Sequence, residues 1–477
     1  MSGFSAAVKI GDLDDFLSPA ADCVILPADP NTKKAKGSVI KQKEEVAAIT
    51  LSDCLACSGC VTSAETLLLQ SQSVDELVSK CSSGEKLLLF TLSSASRRAL
   101  STHLNVHPSK VCETLENQIR VVLPRVTVIV VDSSLSEAIV LKETLDDVND
   151  VTYADGPVLT SHCPGWTCYA TKVLDDSILK HISRVKSAEQ VSGMIFKDLL
   201  PAVARWGMFR HALTPAVPGY DRLSLDRSTV NFPQIFHVYI SPCFDKKLEI
   251  IRPDFTCISG SEKSVDLVLS STEVIDLVSR SPVGGDPVLP NRYLSLFVSS
   301  LSMRDSWAVS EGPETFSGGY AQAAALTESP TWTKGKNSDM FEFKSYMRSY
   351  GFRNIQNVTR RVSSGKLKDK RLVEIMACPG GCPRGGGQPV AATGQDKPEQ
   401  PWWKRWFGET EKESVDASIV DHISSPDSYG PAMMVRSMLV KLASSEEAFK
   451  KCLRTDWKGI APPENPEGGI SVSNLKW

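Results

Sequence analysis

The sequence predicts an α/β fold in which buried parallel strands alternate with helices. Val126 to Asp132 is β-branched in every position but the last, which is typical of a strand buried on both faces. A helical pattern from Ser134 to Leu145 follows it. An earlier apolar run, Lys86 to Thr91, ends in a serine cluster that favours a helix from Arg97 onward. This alternation indicates layered sheets and helices with functional residues at strand ends.

Later segments continue the pattern. Phe236 to Ile240 and Val265 to Leu269 are predicted strands, and a helix is predicted to open at Ser271 after the second of them. Leu372 to Met376 is a further short strand. Pro431 to Ala448 carries apolar residues at helical spacing and predicts one helix with a broad buried face.

Composition narrows the class of protein. The 477 residues are 42% hydrophobic and 23% charged, so we expect several globular domains with a large core. A formal charge of -3 provides no broad basic field for nucleic acid. Met1 to Phe16 lacks the basic and apolar regions of a secretory signal, and the apolar runs are too short to span a bilayer. We therefore expect a cytosolic protein with neither nucleic-acid nor membrane partners.

The chain has 13 cysteines, and in a reducing compartment clustered thiols indicate metal or redox chemistry rather than disulfides. Cys54, Cys57 and Cys60 have C-x2-C-x2-C spacing, which lets three sulfurs of one loop reach one iron–sulfur cluster. The fourth thiolate must come from elsewhere, and Cys23 is the nearest upstream. A zinc site is the competing interpretation, although paired C-x2-C motifs are not present.

A glycine-rich stretch from Glu374 to Pro389 contains Cys378 and Cys382. Glycines allow backbone to crowd a bulky group and free N–H groups to point at an anionic one, such as iron-bound thiolates. A cluster-binding loop is the functional interpretation, and a surface glycine loop with incidental cysteines is the alternative.

Two isolated cysteines, Cys163 and Cys243, each neighbour a proline where an element ends. That position suits a side chain aimed at a ligand, but an isolated cysteine is more often a small buried hydrophobe. The same structural interpretation applies to the remaining ones, which are Cys81, Cys112, Cys168, Cys257 and Cys452.

Three segments together resemble the signature sequences of iron-only hydrogenases: TSHCPGW at 160–166, SPCFDKKLE at 241–249 and EIMACPGGCPRGGGQP at 374–389. The resemblance covers about residues 85 to 390. It implies a core of two parallel-sheet lobes flanked by helices, preceded by a small N-terminal ferredoxin-like cluster domain.

The cysteine-rich N-terminal stretch resembles one branch, the eukaryotic hydrogenase-like Nar1 proteins, also called prelamin A recognition factor-like proteins. Members are cytosolic iron–sulfur assembly factors that are thought to relay clusters from the early scaffold to the late targeting complex, which includes a WD40 propeller subunit. The resemblance implies a cytoplasmic location, with the nucleus as a second one. It also implies two 4Fe-4S clusters, an N-terminal one on Cys23, Cys54, Cys57 and Cys60 and a core one on Cys163, Cys243, Cys378 and Cys382.

Departures from the hydrogenase pattern make hydrogen turnover doubtful. His162 stands where the catalytic family has a proton-delivering cysteine, and Ser241 replaces a methionine. Lys246 matches the hydrogenase lysine that contacts the diiron subsite. Without that subsite, we expect Lys246 to offset the negative charge of the thiolates. The alternative is that Lys246 is a plain surface lysine. The leading hypothesis is a cluster carrier; a hydrogenase-type oxidoreductase and a redox or oxygen sensor with a labile cluster are the alternatives.

The predicted domains are an N-terminal cluster unit at 1–80, the α/β core at 81–390, a flexible insertion at 391–412 and a helical segment and tail at 413–477. Within the insertion, Trp402 to Phe407 fits either a partner or membrane contact or a packed loop. Trp477 resembles the C-terminal tryptophan by which clients and adaptors dock on the targeting complex, whereas a frayed terminus is the alternative.

Overall fold

The computed structural model describes residues 5–7, 48–50, 71–81, 86–148, 155–205, 234–258, 260, 262–281, 319–328, 340–389 and 430–458. The strands in these ranges are β1 (Ser5–Ala7), β2 (Ala48–Thr50), β3 (Lys86–Leu92), β4 (Thr127–Asp132), β5 (Val158–Thr160), β6 (Gln234–Ser241), β7 (Leu267–Ser270), β8 (Met340–Phe343), β9 (Tyr346–Tyr350) and β10 (Leu372–Met376).

Helices alternate with these strands along most of the described chain. They are α1 (Val74–Cys81), α2 (Ser94–Leu104), α3 (Val111–Val122), α4 (Ser134–Asp147), α5 (Pro164–Val173), α6 (Asp176–Leu179), α7 (Ala188–Gly193), α8 (Leu200–Arg205), α9 (Lys246–Glu249), α10 (Ser271–Ser279), α11 (Tyr320–Glu328), α12 (Phe352–Ser363), α13 (Gly430–Leu442) and α14 (Glu446–Leu453). A π-helical segment, Met194–Leu199, joins α7 to α8.

The first large sheet has the strand order β4-β3-β6-β7, and every pairing in it is parallel. Successive side chains of a strand point to opposite faces, so β3 divides its residues between two cores. Leu87 and Leu89 pack with α4 and α7, whereas Leu88 and Phe90 pack with α2, α3 and α10. Helices therefore cover both faces, as the apolar runs of these strands predict.

The second large sheet has the order β5-β10-β9-β8, parallel except for the antiparallel edge pair β8 and β9. Its outer face packs on α5, α6 and α12. Residues of α11 and α13, together with Tyr346 and Leu372, share a core with Leu87 and Leu89 of the first sheet. The two parallel-sheet lobes predicted from the sequence are thus present and are joined by a common hydrophobic layer.

Two predicted helix boundaries are wrong. Helix α2 begins at Ser94 rather than Arg97, because the side chain of Ser93 accepts a hydrogen bond from the backbone N–H of Ser96 and caps the helix there. The single helix predicted for Pro431 to Ala448 is two helices. Ser444 has a φ of 73°, which ends α13, and Ser445 then caps α14 by accepting from the N–H of Ala448.

In the N-terminal part of the chain, the described residues form one antiparallel pair, β1 with β2. The four predicted ligands of the N-terminal cluster lie outside the described residues, as do the predicted insertion and Trp477; these ligands are Cys23, Cys54, Cys57 and Cys60. Among the helices that are described, none combines the length and the apolar character needed to cross a membrane.

His237, on the central strand β6, connects neighbouring elements through both ring nitrogens. Nε2 lies 2.8 Å from Thr91 Oγ1 on β3, and Nδ1 lies 2.8 Å from the carbonyl oxygen of Ser264. Burial lowers the pKa of His237 to about 4. Between about pH 6.5 and pH 4, this histidine is protonated in the unfolded chain but neutral in the folded chain. The folded state therefore becomes less stable as the pH falls through this range.

We expect His237 to account for about 2 kcal/mol of the stability lost between pH 7 and pH 5. Denaturant unfolding of a His237→Gln variant at the two pH values should show a correspondingly smaller loss than wild type. His103→Gln, at an exposed position on α2, is the matched control and should keep the wild-type pH dependence. An unchanged loss in His237→Gln would contradict this assignment.

Candidate metal centre

Four of the predicted ligands lie just beyond the carboxyl ends of strands from both large sheets. Cys163 follows β5 and begins α5, Cys243 follows β6, and Cys378 follows β10. Cys382 begins a short 3₁₀ turn after the glycine loop. Since β5 and β10 are neighbours in one sheet and β6 is central in the other, the site lies where the two lobes meet.

Cys163 is buried and surrounded by backbone donors. Its sulfur interacts with the N–H groups of Gly165, Trp166 and Ala377, and these three interactions lower the pKa of its thiol. Burial, followed by the Asp245 carboxylate, raises that pKa, and the balance is a pKa above the ordinary value. The loop is fixed locally, because the N–H of Cys163 donates to Ser161 Oγ at 3.0 Å.

The pKa of the Cys243 thiol is affected by all three other cysteines. Burial raises its pKa well above the ordinary value, Asp245 adds to the rise, and the sulfurs of Cys163, Cys382 and Cys378 raise it further. The structure therefore brings these four thiols near one another, with Cys163 and Cys382 buried and Cys243 and Cys378 partly exposed. Four thiolates there repel one another unless a cation lies among them.

This donor set fits a soft multinuclear metal group. Among the described residues, no three His, Cys, Asp or Glu side chains converge on a site for a single metal ion. In a four-iron cluster each thiolate binds a different iron, so such convergence is not required. Backbone N–H groups directed at Cys163 Sγ are the donors that tune cluster sulfurs.

Glycines let the loop after β10 approach the segment that carries Cys243. The N–H of Gly387 donates to the carbonyl of Pro242 at 3.0 Å. A Cβ added at Gly385 would lie 2.4 Å from the same carbonyl oxygen, too close for any side chain. Gly380 and Gly381 have φ values of 73° and 72°, which glycine adopts at least cost.

Lys246 lies in the protein interior and forms a charged triad, so it is not a surface lysine. Its ammonium is 2.7 Å from a carboxylate oxygen of Glu249 and 3.6 Å from one of Glu189, and all three residues are buried. Although burial opposes its charge, Glu249, Glu189 and Cys243 together raise the pKa of Lys246. The triad therefore keeps a cation next to the thiols.

Glu189 is the site residue that the sequence did not predict. Burial and the neighbouring Glu249 raise its pKa well above the ordinary value. Neither carboxylate oxygen makes a hydrogen bond within the described residues, so its contact with Lys246 is an ion pair alone. Glu189 lies on α7, far from Lys246 in sequence, and no local motif marks it.

The two departures from the hydrogenase pattern also lie at this site. His162 is buried, and burial followed by the Lys246 charge lowers its pKa well below the ordinary value, which favours the neutral imidazole. The hydroxyl of Ser241 donates to the carbonyl of Cys243 at 2.7 Å and so fixes the backbone of that loop.

Comparison with solved structures supports the architecture. One [FeFe]-hydrogenase structure, from a study of oxygen inactivation of the H cluster, aligns over 81% of this chain and 98% of that chain, with a TM-score of 0.50 and 14% identity. A single-residue variant of the hydrogenase HydA1 from Chlamydomonas reinhardtii aligns over the same shares, with a TM-score of 0.51 and 15% identity. These similarities show a shared fold.

Sequence comparison identifies the protein family and, within it, individual proteins that this chain resembles. The family model "Iron only hydrogenase large subunit, C-terminal domain" matches residues 86–206 and 225–386, and the chain belongs to this family. It is 33% identical to Protein NAR1 of Arabidopsis thaliana over 83% of this chain and 86% of that protein. It is 32% identical to cytosolic iron-sulfur assembly component 3 of Bos taurus over 81% and 85%. The predicted resemblance to Nar1 proteins is confirmed.

Removing the cation from the buried triad should destabilise the fold. We expect Lys246→Met to lower the free energy of unfolding by about 3 to 5 kcal/mol, because Glu189 and Glu249 would be left without a cation. Adding Glu189→Gln and Glu249→Gln should restore more than half of that loss in denaturant unfolding. Lys110→Met, which removes an exposed ion pair with Glu113, is the control and should cost less than about 1 kcal/mol. A triple variant no more stable than Lys246→Met would contradict charge burial as the cause.

A methyl group at Gly385 should separate the glycine loop from Pro242. We expect Gly385→Ala to lower the iron content of the protein, measured as iron per chain after anaerobic purification, because the displaced loop carries Cys378 and Cys382. Gly260→Ala is the control, because that glycine has a φ of 72° but open space around its Cα, so it tests backbone strain without a clash. Full iron in Gly385→Ala would show that the close approach is not needed.

Proposed function

We propose that this chain is an assembly factor for cytosolic iron–sulfur proteins and that its core holds a 4Fe-4S cluster on Cys163, Cys243, Cys378 and Cys382. The observation that carries the proposal is the proximity of four thiols from three separate segments, two of them buried and two partly exposed. The names of two relatives, Protein NAR1 and cytosolic iron-sulfur assembly component 3, support both the role and a cytoplasmic location.

The residues around the thiols would hold such a cluster firmly. A bound cluster would supply iron that neutralises the four thiolates and can accept an electron. Backbone N–H groups stabilise charge on Cys163 Sγ, and Gly385 and Gly387 close the loop onto the Cys243 segment. Lys246 adds a fixed positive charge beside Cys243. Because ligands come from both lobes, metal binding is coupled to the packing of the fold.

The proposal includes a second 4Fe-4S cluster on Cys23, Cys54, Cys57 and Cys60. Three of these ligands lie on one short stretch of sequence, so this cluster should exchange more readily than the core cluster. In this relay, the protein would receive the N-terminal cluster from the early scaffold. It would then pass the cluster to the targeting complex, which includes a WD40 propeller subunit. The core cluster would remain as a structural and redox element.

The two proposed ligand sets can be separated by single substitutions. Wild type purified anaerobically should carry about eight irons per chain, and Cys382→Ala and Cys60→Ala should each lose about half of them. Iron and sulfide analysis with EPR should show a different remaining signal in each variant. Cys81→Ala is the control and should keep full iron, since that cysteine lies on α1 outside both sets. Full iron in Cys382→Ala would refute the core site, and full iron in Cys60→Ala would refute the N-terminal one.

We also propose that Trp477 docks on the targeting complex. Deletion of Trp477 should reduce recovery of the WD40 subunit in a pull-down by about tenfold, because a buried aromatic anchor is a typical binding hot spot. Iron content should stay at the wild-type level. Trp457→Phe is a matched control within the fold, where the indole N–H donates to the carbonyl of Ser183. Unchanged recovery after the deletion would remove this role.

A further inference from the structure

A short segment that begins beside the metal centre is strongly basic, although the whole chain has a formal charge of -3. Residues 352–371, which contain α12 and the turn after it, hold seven basic residues and a single acidic one, Asp369. The basic residues are Arg353, Arg360, Arg361, Lys366, Lys368, Lys370 and Arg371.

Most of this charge lies at the surface. Lys370 is buried and pairs with Glu342 at 2.9 Å, and Arg361 lies 3.7 Å from the same carboxylate. The other five basic side chains are exposed. Arg360, Lys366 and Lys368 form no ion pair with any described residue. The outer side of α12 and its turn, defined by the five exposed basic residues, is called the basic face below.

One end of the basic face, at Arg353, lies beside the loop that carries two of the thiols, whereas the turn with Lys366 and Lys368 lies at the opposite end of the sheet, where β10 begins. The N–H of Gly351, immediately before α12, donates to the carbonyl of Met376 at 2.9 Å, two residues before Cys378. On the inner side of the helix, Ile355 and Val358 share a hydrophobic core with Cys163 and Cys382. A protein that covered the whole basic face would therefore come near the metal centre at one end, where α12 begins.

An aromatic side chain lies at the end of the helix nearest this loop. Phe352 is 39% exposed, and its ring meets that of Tyr169 edge to face at 4.9 Å between centroids. Pro379, which follows Cys378, is exposed as well. An exposed aromatic ring held by a neighbouring ring, beside exposed arginines, is the combination typical of protein interfaces.

We propose that the basic face is the docking surface for an acidic protein that lies along α12 and the turn after it, with one edge beside the loop that begins at Cys378. Complementary charge would steer such a partner to this face, and Phe352 would provide the apolar contact. A protein fits better than a nucleic acid, because the basic residues occupy one short helix and its turn on a chain that is negative overall. That the docked partner exchanges clusters or electrons rests on the proposed function; the docking itself does not.

The test compares two charge reversals of equal size. Arg360→Glu with Lys368→Glu alters the basic face, and Lys263→Glu with Lys451→Glu alters exposed lysines on other elements by the same net charge. The probe is a fluorescent poly-glutamate peptide, with poly-glutamine of equal length as the uncharged reference. Binding is measured by anisotropy at low and at physiological salt, with the full-length, cluster-loaded protein.

We expect the Arg360/Lys368 reversal to weaken peptide binding by about tenfold and to flatten its salt dependence, because both charges face the bound peptide. The Lys263/Lys451 reversal should change binding by less than about twofold. Equal weakening in both variants, or none in either, would overturn the proposal.

Two other polyanions test whether the partner is a protein. Single-stranded RNA, or vesicles rich in phosphatidylserine, would overturn the proposal if either bound wild type more tightly than poly-glutamate and lost that binding in the Arg360/Lys368 variant. Iron content is measured in every variant. Normal iron with lost peptide binding supports the docking surface, whereas missing iron in wild type with intact peptide binding would refute the proposed function and leave the docking surface standing.

Discussion

Gathering four cysteine thiols, two of them buried and two partly exposed, is the constraint on which the rest of this structure depends. A thiolate loses its hydration when buried, and each further thiolate nearby makes ionisation harder, which is why the pKa of Cys243 is raised by burial and by all three neighbouring sulfurs. A cation among the thiols removes that cost. The surrounding elements serve this arrangement, since strands from both sheets deliver the cysteines at their carboxyl ends and backbone N–H groups face Cys163.

Because the thiols come from both lobes, the site and the packing of the lobes stabilise each other. Side chains of α4, α7, α11 and α13 form one hydrophobic layer that includes residues of both sheets. The loop after β10 is then held to the Cys243 segment by a backbone hydrogen bond from Gly387 and by the absence of a side chain at Gly385. Any change that separates the lobes would also separate the ligands.

The sequence predicts the strands well because apolar and β-branched runs depend on local composition, as with Leu372 to Met376, where prediction and structure agree. Local composition does not separate Cys163 and Cys243 from structural cysteines such as Cys112; only the resemblance to a known family did so. Glu189 could not be predicted, since its role depends on a contact with Lys246 from a distant segment. The break at Ser444 was missed because the apolar periodicity continues through it, although the Ser445 cap with two following glutamates is a visible signal.

The charge balance at the site explains why recognition must come from elsewhere on the molecule. Lys246 lies in the interior, 2.7 Å from a carboxylate oxygen of Glu249 and 3.6 Å from one of Glu189. Its positive charge is therefore opposed by its immediate neighbours and contributes little field at the surface. On the surface, three exposed basic residues of α12 and its turn form no ion pair with any described residue. They are Arg360, Lys366 and Lys368. An approaching molecule therefore meets a positive field along the outer side of α12 and its turn, and this field favours an anionic partner.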